Sequence, residues 1–391
     1  MLRSLYSGIS GLRAHQTMLD VTGNNIANAN STGFKASTTQ FQDTLSQLTK
    51  NAGAPQGTTG GTNPAQIGLG VQVAAVTNDF TQGAAQSTGR ATDMMISGDG
   101  FFVTSKGGST TYTRAGSFDF DGMGRLVSPD GAILQGWMAD ANGRVTTGAQ
   151  PTDLSVPRTL TMPASTTTQA KLEGNLPADI ATGSTTTKDV RVFDQLGAAR
   201  TLSLTMTRTA TGWDITGTDG NGGTGATSLT LTGGQLQSTG PLQVGGVTVD
   251  MGDLTGYAGV NTVTGSATNG SAAGTLESFS LGSDGTLTGS FSNGGKFVIG
   301  QVALARFTNP AGLEKVGNTA FQPSANSGVP QLGTAGNGGF GSLSGGQLEM
   351  SNVDLSQQFT NLIVAQRGFQ ANARIVTTSD QVLQELVDLK R

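Results

Sequence analysis

Apolar residues recur every seven positions at both ends of the chain. Near the start, Leu5, Leu12, Leu19 and Ile26 form one stripe, with Leu2 and Ile9 filling the seam before it weakens at Gln16 and Gly23. Near the end, Leu355, Leu362, Phe369, Val376 and Leu383 repeat the spacing, flanked by Phe359, Ala365, Ala373, Leu386 and Val387. A seven-residue repeat is the mark of a helix packed along one face. Gly23 costs the first helix about 1 kcal/mol relative to Ala. That helix is predicted to stop within Asn28–Gly33, where Asn and Gly accept the left-handed geometry of a helix end. Ser351 or Asn352 is placed to cap the second helix. Lys390 and Arg391 suit the negative end of its dipole.

All 11 prolines lie between Pro55 and Pro330, so both stripes are free of helix breakers. One stripe alone reads as a core helix of a compact domain. Two stripes at opposite ends of a β-rich middle predict that the ends pair with each other and that the middle is inserted between them.

The middle carries the period of strands. Residues 51–66 read as a flexible Gly/Thr-rich loop. Val71–Val76 then alternates apolar and polar, and Phe101–Val103 follows the turn Gly98–Gly100. Tyr112–Phe120 and Leu126–Val127 flank Asp121–Gly124, a hairpin pattern, and a further strand ends at Trp137. Beyond residue 150 Thr and Gly become dense. Val190–Phe193, Thr201–Thr207 and Trp213–Thr216 predict a meander with a Gly-rich tip at Gly217–Gly225. The earlier style returns near residue 280 with a hairpin of Thr286–Phe291 and Phe297–Phe307. The fold class is therefore mainly β with terminal α-helices, in discontinuous nested domains. Residues 1–30 and 352–391 are expected to form a helical coiled-coil domain, and 31–70 a linking segment. Residues 71–151 and 280–351 are expected to form an inner β domain, and 152–279 an inserted outer β domain.

Composition sharpens this picture. Charged residues are 12% of the chain, about half the usual share, while 60 residues are Gly, a mixture suited to short strands and tight turns. A net charge of −4 gives no electrostatic footprint for nucleic acid. With no cysteine, disulfides and thiol chemistry are excluded. The first twenty residues lack the apolar core of a cleavable secretory signal, and no stretch is apolar enough to span a bilayer. No membrane partner is expected.

Candidate chemistry is sparse. His15, the one histidine, falls within the first helical stripe and reads as a helix-face residue. Gly68-Leu69-Gly70 begins a G-x-G pattern without the third glycine or a following helix. Asp119, Asp121, Asp130, Asp140 and Asp284 sit among glycines; calcium binding needs more oxygen ligands than Asp119–Arg125 offers, and turn chemistry accounts for them. No carboxylate pair is marked out for glycoside hydrolysis, although spacing alone does not exclude one. Trp137 and Trp213 read as core anchors. No catalytic residue, metal ligand or cofactor is assigned.

The residues do carry a family resemblance. Ser7–Leu12, Leu19–Asn28 and Gly33-Phe34-Lys35 together resemble the N-terminal signature of flagellar rod, hook and hook-associated axial proteins, with Asn24, Asn25, Asn28, Gly33, Phe34 and Lys35 as its marked positions. Ala29 departs from the usual Val. The run SNVDLSQQFTNLIVAQRGFQANARIVTTSDQVLQELVDLKR resembles the family's C-terminus, and residues 79–103 and 113–137 resemble its inner β domain. Lys188–Gly197, followed by a Thr-rich strand, is similar to the outer domain of the hook members, which shorter rod members lack.

The resemblance implies a structural subunit that leaves the cell by the flagellar type III route without cleavage. It implies a flexible tubular homopolymer whose terminal helices line a channel and whose linking segment braces neighbours, a universal joint passing torque from rod to filament. Its implied partners are further copies of itself, the distal rod protein, the hook cap, the hook–filament junction protein and the export apparatus. Two alternatives stand beside it: a distal rod or other axial protein, favoured by a stiff polymer and disfavoured by the insert, and a secreted β-rich binding or carbohydrate-active protein, which needs a signal and a site.

Overall fold

A computed structural model describes residues 2–57, 60–157 and 159–388. The chain is mainly β, and its two long helices, α1 (Leu2–Ala27) and α2 (Leu355–Asp388), pack on each other. It divides into two compact units. Unit 1 holds residues 1–156, 281–287 and 299–391; unit 2 holds 157–280 and 288–298.

In unit 1, α1 ends at Ala27, just ahead of the Asn-rich stretch. Gly33 (φ +67°) turns the chain back beside Ala115, where a Cβ would lie 2.4 Å from the Ala115 nitrogen; only glycine fits. Strand β1 (Ser37–Asp43) then runs back along α1. Next comes a hairpin arm of β2 (Ser46–Lys50) and β3 (Ala65–Gly68), followed by β4 (Val71–Asn78), which pairs antiparallel with β1 from Ser37↔Asn78 to Asp43↔Val71. The stretch expected as a loop over 51–66 is thus shorter. Ala65 and Gln66 are strand residues, and a bridge between Gly53 and Thr62 continues the hairpin. Turn composition does not reveal that its flanks pair.

The rest of unit 1 is a set of short strands. Strands β5 (Ala85–Ser87) and β6 (Met94–Ser97) pair with Gln347–Glu349 and Ser342–Gly345, which brings the chain leading into α2 beside the chain that leaves β4. Strands β7 (Phe101–Lys106) and β8 (Ser109–Thr113) form a hairpin; β7 also pairs with Ile133–Met138 and Leu304–Arg306. Four consecutive β7 residues, Phe101 to Thr104, are buried, because both faces of the strand are covered. Phe101, Val103, Tyr112, Trp137, Phe307 and Phe321 share one core with Phe80 against it. The run expected as one strand over Tyr112–Phe120 breaks after Thr113 and resumes at Asp119. The break buries Arg114 and Phe118. Likewise Phe297–Phe307 is interrupted at Ala303, whose N–H bonds to Gln135 O.

Unit 2 is built on an antiparallel meander of Thr185–Phe193, Ala199–Arg208, Gly212–Asp219, Thr224–Thr232 and Gln235–Ser238. The strands run further into the expected Gly-rich tip than its composition suggests, leaving residues 220–223 as the turn. Val247–Thr255 returns and pairs in parallel with Gln169–Asn175. Leu202, Leu204 and Met206 point inward, as do Val190, Val192, Trp213 and Ile215, while the Thr residues between them face water or each other; Thr187 and Thr205 hydroxyls lie 3.3 Å apart. Alternation at period two places one apolar face on the core, the signal the sequence carries.

The acidic turns share one design. Asp121, Asp140 and Asp194 each accept, through Oδ1, backbone N–H groups two and four residues on, and each turn is closed by a left-handed glycine, Gly124, Gly143 or Gly197. Asp284 bonds Thr286 in the same sense, Asp119 pairs with Arg90, and Asp130 with Lys106.

Candidate assembly site

The two helices run antiparallel at constant register. A Cβ on Gly8 would stand 3.3 Å from Ile375 Cγ2, on Gly11 2.7 Å from the Asn372 side chain, and on Gly368 2.5 Å from the His15 ring. At the far end Asn25 Nδ2 donates to Gln358 Oε1 at 3.1 Å. Each step forward on α1, from Gly8 through Gly11 and His15 to Asn25, matches an equal step back on α2. Small residues let the two backbones approach. The most buried helix residues are small or polar: Ala14, Thr22, Asn25, Gln358 and Ala365.

Of the predicted seam, Leu5, Leu12, Leu19 and Ile26 are half-buried on α1, and Leu362, Phe369, Val376 and Leu383 are half-buried on α2; Leu355 is 44% exposed. The stripes lie on the sides of the contact, and the glycine approach lies at its centre. Small residues at positions 8, 11 and 14 are the sequence signal for it.

The cap of α2 is neither Ser351 nor Asn352. Asp354 Oδ1 accepts the N–H groups of Ser356 (2.8 Å) and Gln357 (3.2 Å). Asn352 is occupied elsewhere. Its Oδ1 accepts from Ala36 N and its Nδ2 donates to Asp79 O and Thr81 Oγ1, so it ties the root of α2 to β1 and the end of β4. Lys390 and Arg391 lie outside the described residues.

The signature residues build the root of α1. Asn28 Nδ2 donates to Asn24 O at 3.0 Å and turns the helix end, while Asn28 Oδ1 accepts from Ser31 Oγ. Asn25 Oδ1 accepts Ser37 N, and its Nδ2 also reaches Ser37 O, so one side chain joins α1, β1 and α2. Gly33 N donates to Glu349 O at 2.7 Å, and Phe34 is buried under the Lys315 ammonium.

Lys35 Nζ donates to Glu349 Oε1 and to Thr81 O, both at 2.6 Å. Gly83 N shares Glu349 Oε1, and Arg114 Nη1 stands 3.5 Å from Oε2. Burial pushes the Lys35 ammonium below the usual lysine range, opposed by its hydrogen bond to Glu349. Burial likewise lowers Arg114, opposed by the Glu349 charge.

Phe359, Ile363, Val364, Leu386 and Val387 are 49–67% exposed, so much of α2 away from α1 is apolar and uncovered. Trp137 donates to Ala149 O, and Trp213 is buried beneath Arg208. His15 faces Gly368 and the edge of Phe41. Among the described residues no helix is long and apolar enough to cross a membrane, and no group of three or more potential metal ligands is gathered.

Known proteins resemble this chain in sequence. The family model described as the D1 domain of flagellar hook protein FlgE/F/G matches residues 95–172. Models for the C-terminal part of flagellar basal body rod FlgEFG proteins and for flagella basal body rod proteins match 344–389 and 5–35. The flagellar hook protein FlgE of Borreliella burgdorferi is 39% identical over all of both chains, and that of Escherichia coli 36% over 98% of each. The chain belongs to the flagellar hook protein family. The basal-body rod protein FlgG of Bacillus subtilis is 34% identical over all of both chains. As a member of the hook protein family, the chain is a structural subunit of the flagellar hook, and the two ends matched by these models are the two helices and their roots.

Proposed function

We propose that the chain polymerises through the uncovered faces of its terminal helices into the hook tube, a flexible universal joint that passes torque from rod to filament. The observation that carries this reading is the apolar side of α2. Phe359, Ile363 and Val364 in its first half, and Ile375, Val382 and Leu386 in its second, remain exposed after α1 has been packed. Water-exposed apolar surface along a whole helix is costly in a monomer and is removed when copies associate.

On this reading residues 1–30 and 352–391 are the helical assembly domain, with the leucine stripes at its margins meeting other copies. Residues 31–70 link and brace neighbours; 71–151 with 280–351, and 152–279, are the inner and outer β domains. The tube meets the distal rod protein at one end and the cap and junction protein at the other. The subunit passes through the export apparatus uncleaved, and acts without catalysis, cofactor, nucleic acid or membrane contact.

The test compares the full chain with a chain lacking residues 1–30 and 355–391, by circular dichroism and negative-stain microscopy. The full chain is expected to form tubes. The trimmed chain is expected to keep its strand signal and stay monomeric; tubes from the trimmed chain would overturn the reading.

A further inference from the structure

Arg114 is only 3% exposed; its Nε is shielded from solvent and without a hydrogen-bond partner, and its Nη1 meets only Glu349 Oε2, at 3.5 Å. Glu349 accepts through Oε1 from Lys35 and Gly83, and the Asp99 carboxylate also acts on the Arg114 charge. A buried donor left unmatched costs about 1–3 kcal/mol, more for a charged group. Arg114 lies at the wall of a cavity of about 450 Å³, between Phe80, Phe101 and Phe307, with its guanidinium 5.4 Å from the Phe101 ring centre. Arg306 and Gln331 line the same cavity. Arg306 is held by long contacts, 3.4 Å to Gly339 O and 3.5 Å to Gln331 Oε1. Aromatic walls with two guanidinium groups suit a carboxylate on an apolar stem, because planar guanidinium donors match carboxylate oxygens and the rings cover the carbon chain. Asp99, also at the rim and close enough to act on the Arg114 charge, turns an incoming carboxylate toward Arg306.

We propose that this cavity receives Asp43 of a second copy of this chain. The proposal rests on the polymer reading above. Asp43 ends β1, forms no ion pair among the described residues, and is presented by a paired strand rather than a free loop. It stands between two exposed apolar residues, Phe41 at 40% and Leu45 at 84% exposure. That combination, a carboxylate flanked by apolar surface, is what the aromatic walls and the arginines select.

The test is charge exchange at the rim, leaving Arg114 and its buried neighbours intact. Arg306→Glu and Asp43→Arg are each expected to raise the critical concentration for tube formation about tenfold, the scale of a lost interfacial charge pair. The double variant is expected to return to within about threefold of the natural chain. Butyrate is expected to compete with assembly of the natural chain, and butanol not to. A double variant with additive loss, or single variants that assemble normally, would overturn the proposal. Failure of the natural chain itself to form tubes would instead overturn the polymer reading. Arg114→Gln also disturbs the Glu349 cluster, so Arg114 is read by Nε–H nuclear magnetic resonance of the natural chain: its signal is expected to shift on assembly, and an unchanged signal counts against the site.

Discussion

Lys35 Nζ and Glu349 Oε1 meet at 2.6 Å with both side chains fully shielded from water. They stand 314 residues apart in sequence, one just after α1 and the other just before α2. The pair therefore fastens the roots of the two terminal helices to each other and, through Thr81 O and Gly83 N, to the end of β4. A dry ion pair adds little net stability over apolar residues, but removing one partner strands the other.

Glu349→Ala is expected to destabilise unit 1 by about 3–5 kcal/mol, since it leaves two buried cations, Lys35 and Arg114, without a counter-charge. Lys35→Met is expected to cost less, because Arg114 and Glu349 remain a neutral pair. Urea unfolding followed by Trp137 fluorescence in a Trp213→Phe background reads unit 1 alone, since the two tryptophans lie in different units. Equal costs for the two variants would contradict this account.

The helix contact makes opposite predictions for two of its glycines. A methyl group on Gly23 would meet no atom within 4 Å, so Gly23→Ala is expected to gain about 0.5–1 kcal/mol of helix stability. Gly368 meets the His15 ring, so Gly368→Leu is expected to force α1 and α2 apart despite the better helix propensity of Leu. Thermal melts by circular dichroism at the helical band check both. A stabilised Gly368→Leu protein would show that the helices do not pack in this register.

How much of this is legible in the sequence follows the range of the interactions. Helices at both ends are legible, because seven-residue spacing and missing prolines are local facts. The strands of unit 2 are legible in the alternation of Leu202, Leu204 and Met206 with Thr. The cap of α2 is ambiguous among neighbours: Ser351, Asn352 and Asp354 are all capping types, and only the bonds of Asn352 to Ala36 and Asp79 reveal that it is engaged elsewhere. The close approach at Gly11 leaves a faint signal in the small residues at 8, 11 and 14 but does not name Asn372 as its partner, and the Lys35–Glu349–Arg114 cluster is hidden, since it joins residues hundreds of positions apart whose types are ordinary alone.

Asp121 gives a pH prediction. The Arg125 backbone N–H holds its carboxylate below the usual aspartate range; desolvation opposes it, and the Arg125 side chain and Met123 N–H add to the lowering. A carboxylate lowered by folding stabilises the fold fully above its unfolded pKa, about 4, and the contribution is lost as pH falls through the lower folded value. Carbon-detected carboxyl titration is expected to place the Asp121 midpoint below that of free aspartate. In Arg125→Ala, which keeps the backbone N–H, only part of the depression is expected to disappear. A midpoint at or above the free value would remove the turn's electrostatic basis.

The last prediction concerns unit 2. Residues 157–280 make up most of unit 2, which 288–298 complete, and carry its buried cluster, from Ala170 to Val263. Their surface is dominated by Thr and Gly, and an exposed ion pair such as Lys171 with Asp253 is worth little and is screened by salt. Contacts of this kind slide without a large barrier, which a bent rotating tube requires of parts that alternately compress and stretch. The paired helices must meanwhile stay locked, and none of their contacts described above draws on residues 157–280. Replacing 157–280 by a short Gly-Ser bridge is therefore expected to leave tube formation intact and to change tube shape, giving straighter tubes or tubes without regular curvature in negative-stain images. Normal supercoiled curvature would show that this unit does not set the shape. Loss of assembly would show that it belongs to the lattice that closes the tube.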